Sequence, residues 1–156
     1  MIVSFDLDDT LFVDPHKFDT ELPLRFPYIY IYKERLRLGT IQLLTKIREN
    51  DISLWVYTTS YRSEKYIKSL FRCYGIKIDN VINGERHQKE VQRNKSQVMP
   101  SKYPSKYRID LHIDDDVSVY QNGIRYGFKV FLIKNEDIDW VSNIWNEIER
   151  IKNMKN

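Results

Sequence analysis

Cysteine is almost absent. Cys73 stands alone, so no internal disulfide can form and nothing calls for an oxidising compartment. It falls within an apolar helical pattern, which suits a buried structural thiol better than a reactive one. An excess of one charge is missing too: 25 Lys and Arg face 22 Asp and Glu, a formal balance of +3. That mild surplus speaks against a general nucleic-acid or membrane binder. Long hydrophobic runs do not occur. Residues 1–5 are apolar apart from Ser4, lack a basic start, and end at Asp6, far short of a secretion signal or a membrane span. Internal repeats, low-complexity tracts and linkers are lacking as well. At 156 residues, 42% hydrophobic and 30% charged, the chain reads as one soluble cytoplasmic domain, 1–156, long enough to bury a core.

What is there is alternation. Residues 2–6 form a short buried strand, and 52–58, "ISLWVYT", a near-continuous apolar run of the kind central parallel strands show. Between them, "TIQLLTKIREN" (40–50) places Ile41, Leu44 and Ile47 on one helical face after a turn at Gly39. Ser63 reads as the N-cap of a helix with Tyr66, Ile67, Leu70, Phe71 and Tyr74 inward, stopped by Gly75. Residues 76–82, 108–114 and 128–133 read as three further strands, with a short helix ending at Gly127 between the last two. A final helix carries Trp140, Ile144, Ile148 and Ile151 on one stripe. Strands alternating with helices predict an α/β fold: a three-layer, Rossmann-like, five-stranded, mostly parallel sheet with helices on both faces. Ligands of such sheets bind outside the carboxyl ends of the strands, near the reversal of strand order.

Polar clusters gather at those ends. Asp6, Asp8 and Asp9 follow the first strand, Thr58 and Thr59 the second, and Asp114, Asp115 and Asp116 the fourth. Carboxylates packed this closely raise one another's pKa unless a cation removes the repulsion. Mg²⁺ suits a site with a few carboxylates, a backbone carbonyl and retained waters, and it is the usual companion of phosphate. A carboxylate held in such a site is a competent nucleophile for phosphoryl transfer.

"DLDDT" after an apolar strand resembles the first motif of the haloacid dehalogenase superfamily of phosphotransferases, DxDx[TV]. "LWVYTT" resembles the second motif and "LHIDDD" the fourth, in the right order over nearly the whole chain. The resemblance implies a Mg²⁺-dependent phosphatase in which Asp6 is the nucleophile and Asp8 the general acid and base, lending its backbone carbonyl to the metal. It implies that Thr58, with Thr59 as a lesser rival, hydrogen-bonds a phosphoryl oxygen, and that Asp114 and Asp115 complete the metal shell. Leu11 and Phe12 would begin the short helical twist that follows the nucleophile strand. The third motif is a lysine ahead of the fourth strand. Lys89, Lys95, Lys102 and Lys106 are candidates, and "SKYPSKYRIDLHIDDD" favours Lys102, with Lys106 as the alternative.

Plainer roles fit other residues. Asp9 suits a turn and Asp116 an N-cap, while His112 reads as a packed, satisfied strand residue. His16, His87 and His112 show no ligand spacing. "YIYIY" (28–32) alternates with period two and reads as a hairpin in a small flap after strand one. Residues 13–39 and 84–107 leave no room for a large cap domain, so the family likeness is to a compact, capless member. An open cleft admits a phosphorylated small molecule or an exposed macromolecular phosphoester; nucleic acid stays in that range without being favoured. A phospho-accepting receiver or an idle Mg²⁺-binding module is the alternative. Receivers accept phosphate on an aspartate after strand three, where this chain has "VINGE". The segment 84–108 carries seven Lys and Arg against two Glu. A solvated loop explains that excess; the sharper idea is that it recruits an anionic substrate. Reversing the charge of Arg93 and Lys95 then lowers kcat/KM, and unchanged values for every good substrate end the idea.

Overall fold

The apolar runs that begin the chain and follow residue 52 become neighbouring central strands. In the computed structural model, which describes residues 1–93 and 95–155, five strands form one sheet. They are β1 (Ile2–Phe5), β2 (Ser53–Tyr57), β3 (Asn80–Ile82), β4 (Leu111–Asp114) and β5 (Val130–Leu132). Their order is β3-β2-β1-β4-β5 and every pairing is parallel. The helices are α1 (Thr40–Glu49), α2 (Glu64–Cys73), the short α3 (Gly84–His87), α4 (Val117–Tyr126) and α5 (Trp140–Asn153).

Strand pleating sorts the side chains into two faces. Val3, Phe5, Leu54, Val56, Val81, Leu111 and Ile113 pack with Leu44 and Ile47 of α1, Ile67 and Phe71 of α2, and Ile144 and Ile148 of α5. This is the main core, and each such side chain contributes about 1.5–3 kcal/mol by leaving water. Tyr57 and Ile82 point to the other face and meet Ile109, with Trp55 and Tyr107 alongside. Ser4 and His112, partners in register, also lie on this second face. There α4 packs on β5: a Cβ on Gly123 would meet the Phe128 carbonyl oxygen at 2.7 Å and Val130 Cγ2 at 3.0 Å. Strand order departs to β2 on one side of β1 and to β4 on the other, so the crevice for a ligand opens between β1 and β4.

Several sequence expectations shift. Residues 28–32 form no hairpin. Pro27 presets a turn, Tyr28–Tyr30 wind into one 3₁₀ turn, and the Tyr30 and Ile31 N–H groups bond to Pro27 and Tyr28 carbonyls. Alternation without a partner strand had no ladder to join. The third strand shortens to Asn80–Ile82, although Ile76 and Ile78 remain buried in its lead-in. The fourth starts at Leu111 because Arg108, at φ 55°, closes a 3₁₀ turn over Pro104–Tyr107. Cys73 is half-buried rather than buried, on the shoulder of the Ile67–Leu70–Phe71 stripe. Ser63 does cap α2, accepting the Tyr66 N–H. Residues 13–39 lie as a flap bridged to Phe12 through Leu36, and no large cap intervenes. Among the described residues no helix is long and apolar enough to cross a membrane.

The close approach at Gly123 is testable. Gly123→Ala pushes a methyl group against backbone rather than a yielding side chain, a strain of about 1–3 kcal/mol. The melting temperature should fall by roughly 2–10 °C, read by circular dichroism; an unchanged value would contradict the packing.

Candidate active site

Register sets the two main carboxylates side by side. Phe5 pairs with Ile113, so the next residues along each strand, Asp6 and Asp114, leave the sheet at one level and on one face. The Asp6 N–H continues the ladder to the Ile113 carbonyl at 2.9 Å. Both carboxylates are buried, and burying two charges without compensation is costly. Lys102 supplies the compensation. Its side chain is 3% exposed, and the ammonium sits 2.6 Å from Asp6 Oδ1 and 2.5 Å from Asp114 Oδ2. Lys106 lies exposed in the neighbouring 3₁₀ turn and does not line the cleft.

A polar ladder runs beneath this pair on the second face of the sheet. Ser4 Oγ lies 2.8 Å from His112 Nδ1, and His112 Nε2 lies 2.8 Å from Asp114 Oδ2. Burial holds the His112 pKa down against the opposing pull of Asp114, so the ring is neutral. With its proton on Nε2 it donates to Asp114 and accepts from the Ser4 hydroxyl, which satisfies all three groups. The Asp116 N–H donates to Asp114 Oδ1 at 3.0 Å. Burial resists ionisation of Asp114, but the His112 hydrogen bond and the Lys102 charge outweigh it and hold this carboxyl well below the usual range. Asp6 goes the other way. Burial foremost, with Asp114 adding to it and Lys102 opposing, raises its pKa from 3.8 to about 7.

The remaining acids stand at the rim. Thr10 donates its hydroxyl to Asp115 Oδ1 at 2.9 Å, and burial with the nearby Asp114 charge raises the Asp115 pKa. Asp8 is half-exposed and forms an ion pair with Arg62 at 2.9 Å. Asp9 adopts a left-handed turn conformation at φ 61°, and Asp116 caps α4 through the Ser118 N–H. After Asp6 the chain turns at once: the Leu7 carbonyl accepts the N–H groups of Thr10, Leu11 and Phe12. Thr58 is buried, its oxygen accepting the Ser60 N–H at 3.1 Å, and Thr59 instead lines the cleft. The cleft holds about 550 Å³ and brings together Asp6, Asp8, Thr59, Lys102, Asp114 and Asp115. At the end of β3, where a receiver would place its aspartate, stands Asn83, which caps α3.

The donor set suits a hard divalent cation. Asp6, Asp114 and Asp115 each offer an oxygen, all within 4.8 Å of one another. Three carboxylates against the single Lys102 ammonium leave two negative charges, which one divalent ion matches, and all-oxygen ligation favours Mg²⁺, Mn²⁺ or Ca²⁺.

No protein-family model matches the sequence, and no curated protein matches it. Solved structures do. The HAD domain of effector protein Lem4 from Legionella pneumophila superposes with a TM-score of 0.53 at 18% identity, covering 94% of this chain and 92% of that one. A HAD-superfamily hydrolase, subfamily IA, from Geobacter sulfurreducens PCA gives 0.53 at 12% identity, with 84% and 88% covered. The chain has the haloacid dehalogenase fold. Within that fold, sequence reasoning missed Arg62, Thr10 and the Ser4–His112 ladder. Two polar residues on central strands, Ser4 and His112, were the available signal for the ladder. Arg62 gave none, because its partners lie 28 and 54 residues away.

The raised pKa of Asp6 has a stability consequence. A carboxyl whose folded value exceeds its unfolded one adds stability below the unfolded value, here 3.8, and that stability is lost as pH rises to about 7. Asp6→Asn cannot ionise and escapes the loss. In EDTA, its melting temperature should exceed the parent's by several degrees at pH 8, and the gain should vanish near pH 4. A pH-independent difference would contradict the assigned shift.

Proposed function

We propose that this chain is a Mg²⁺-dependent phosphatase or phosphotransferase that works through an aspartyl-phosphate on Asp6. One observation carries the reading: Lys102 clamps Asp6 and Asp114 at the switch point between β1 and β4, with a third carboxylate within reach. The hydrolase named among the similar structures agrees with it. Asp6, Asp114, Asp115 and the Asp8 backbone carbonyl would hold the metal. When bound, it neutralises the carboxylates and the phosphate oxygens, so that an anion can approach an anion.

The protein's own groups supply the rest. The free Asp6 oxygen attacks phosphorus in line as the bond to the leaving oxygen breaks, and Asp8 passes its proton to that oxygen. Asp8, now a carboxylate, takes a proton from water as the water oxygen attacks phosphorus. The bond to Asp6 breaks, phosphate leaves, and both aspartates return to their starting states. Lys102 screens the charge on the phosphoryl group, and the Thr58 hydroxyl proton or Thr59 at the cleft wall would hydrogen-bond its oxygens. The cleft is open, with no cap above it, which suits a phosphorylated small molecule or an exposed phosphoester on a larger molecule.

An aryl phosphate assay decides the matter. Hydrolysis should require Mg²⁺ and fall by several orders of magnitude in Asp6→Asn and in Asp8→Asn. Robust turnover by Asp6→Asn refutes the nucleophile, and equal turnover in EDTA refutes the metal.

A further inference from the structure

Asp6 and Asp114 are locked by buried partners, but Asp8 stands half-exposed at the cleft, where an unrestrained aspartate would sample several rotamers. Its carboxylate is gripped by Arg62, whose Nη1 lies 2.9 Å from Asp8 Oδ2. Arg62 is itself fixed from several sides. Nη1 also donates to Ser60 Oγ at 2.9 Å, and Nε donates to Glu34 Oε1 at 3.1 Å. The guanidinium lies over the Phe12 ring, 5.4 Å from its centroid. The Arg62 carbonyl accepts from Asn83 Nδ2 at 3.0 Å, and Glu34 is held in turn by the Tyr66 hydroxyl at 2.7 Å. The flap, braced by helix α2 through Glu34, and the turn after β2 therefore meet on one planar group that ends at Asp8.

We infer that Arg62 is a positioning residue that aims the Asp8 carboxyl at the leaving oxygen, and that Glu34 of the flap keeps Arg62 in place. The inference rests on the phosphatase reading above. Proton transfer tolerates little misplacement of the donor, so an aspartate free to turn would spend most of its time unable to reach that oxygen. With Asp8 half-exposed, its ion pair with Arg62 adds little to folding, so that contact serves geometry more than stability. A lysine could not reproduce it, because one point charge cannot meet Asp8 and Glu34 along two fixed N–H directions.

Leaving-group dependence tests the assignment, since a strongly basic alkoxide needs the Asp8 proton and a dinitrophenolate does not. With Mg²⁺ present, Arg62→Ala should lower kcat/KM, which reports the step that expels the leaving group, by about 30–100-fold for glycerol phosphate and by less than about threefold for 2,4-dinitrophenyl phosphate. Arg62→Lys should recover little, Glu34→Gln should show the same selectivity in weaker form, and Arg62→Ala should add nothing in an Asp8→Asn background. Equal losses of kcat/KM for both substrates would overturn the positioning role. If the parent protein hydrolyses neither substrate, the phosphatase reading fails by itself. A crystal structure of Arg62→Ala then judges the geometry: Asp8 swung from its place supports the inference, and Asp8 unmoved overturns it.

Discussion

One ammonium group holds the cleft together. Lys102 lies between Asp6 and Asp114, nearly excluded from water, where charges attract far more strongly than at the surface. Removing Lys102 would leave two buried carboxylates uncompensated, a loss of about 3–5 kcal/mol. The lysine offsets one of the three carboxylate charges gathered there, and the remaining imbalance suits a cation. It also divides the two aspartates. Asp114, bonded by Lys102, His112 and a backbone N–H, stays ionised, whereas Asp6 with fewer partners resists ionisation.

That division follows from the sheet. Parallel strands with apolar side chains on one face leave the other face available for a different purpose, and here it carries Ser4, His112, Asp114 and Asp6 in sequence toward the rim. The main core, with α1, α2 and α5, packs on the apolar face and makes the strands rigid. The second face is thinner and is covered by α4 and by the segment that delivers Lys102. Rigidity from one side and chemistry on the other is how a short chain without a cap can hold a buried ionic cluster.

The cleft has a buried inner half and a more exposed outer half. Inward, Asp6, Lys102 and Asp114 have almost no freedom. Outward, Asp8 depends on an arginine that the flap and the turn after β2 both touch. A nucleophile benefits from being immobile, whereas a proton donor has to serve a departing group that differs from substrate to substrate. In the proposed mechanism, a surface network around Asp8 would let its aim be set separately from that of Asp6.

The order of strands and helices, the strand ends at Asp6 and Asp114 and the inward stripes of α2 and α5 were legible in the sequence alone. Each depends on neighbours within a few residues, where the periods of strand and helix act directly. Lys102 could be preferred over Lys106 only by motif likeness; the fold brought its ammonium to the aspartates and left Lys106 in water. Tertiary structure alone decided that Thr59 lines the cleft while Thr58 braces a turn, that "YIYIY" winds up without a partner strand, and that Arg62 reaches Asp8. The physical reason is range. Local periodicity tells which way a side chain leaves the backbone, but a long polar side chain finds its partner through space, across 54 residues of chain in the case of Arg62 and Asp8.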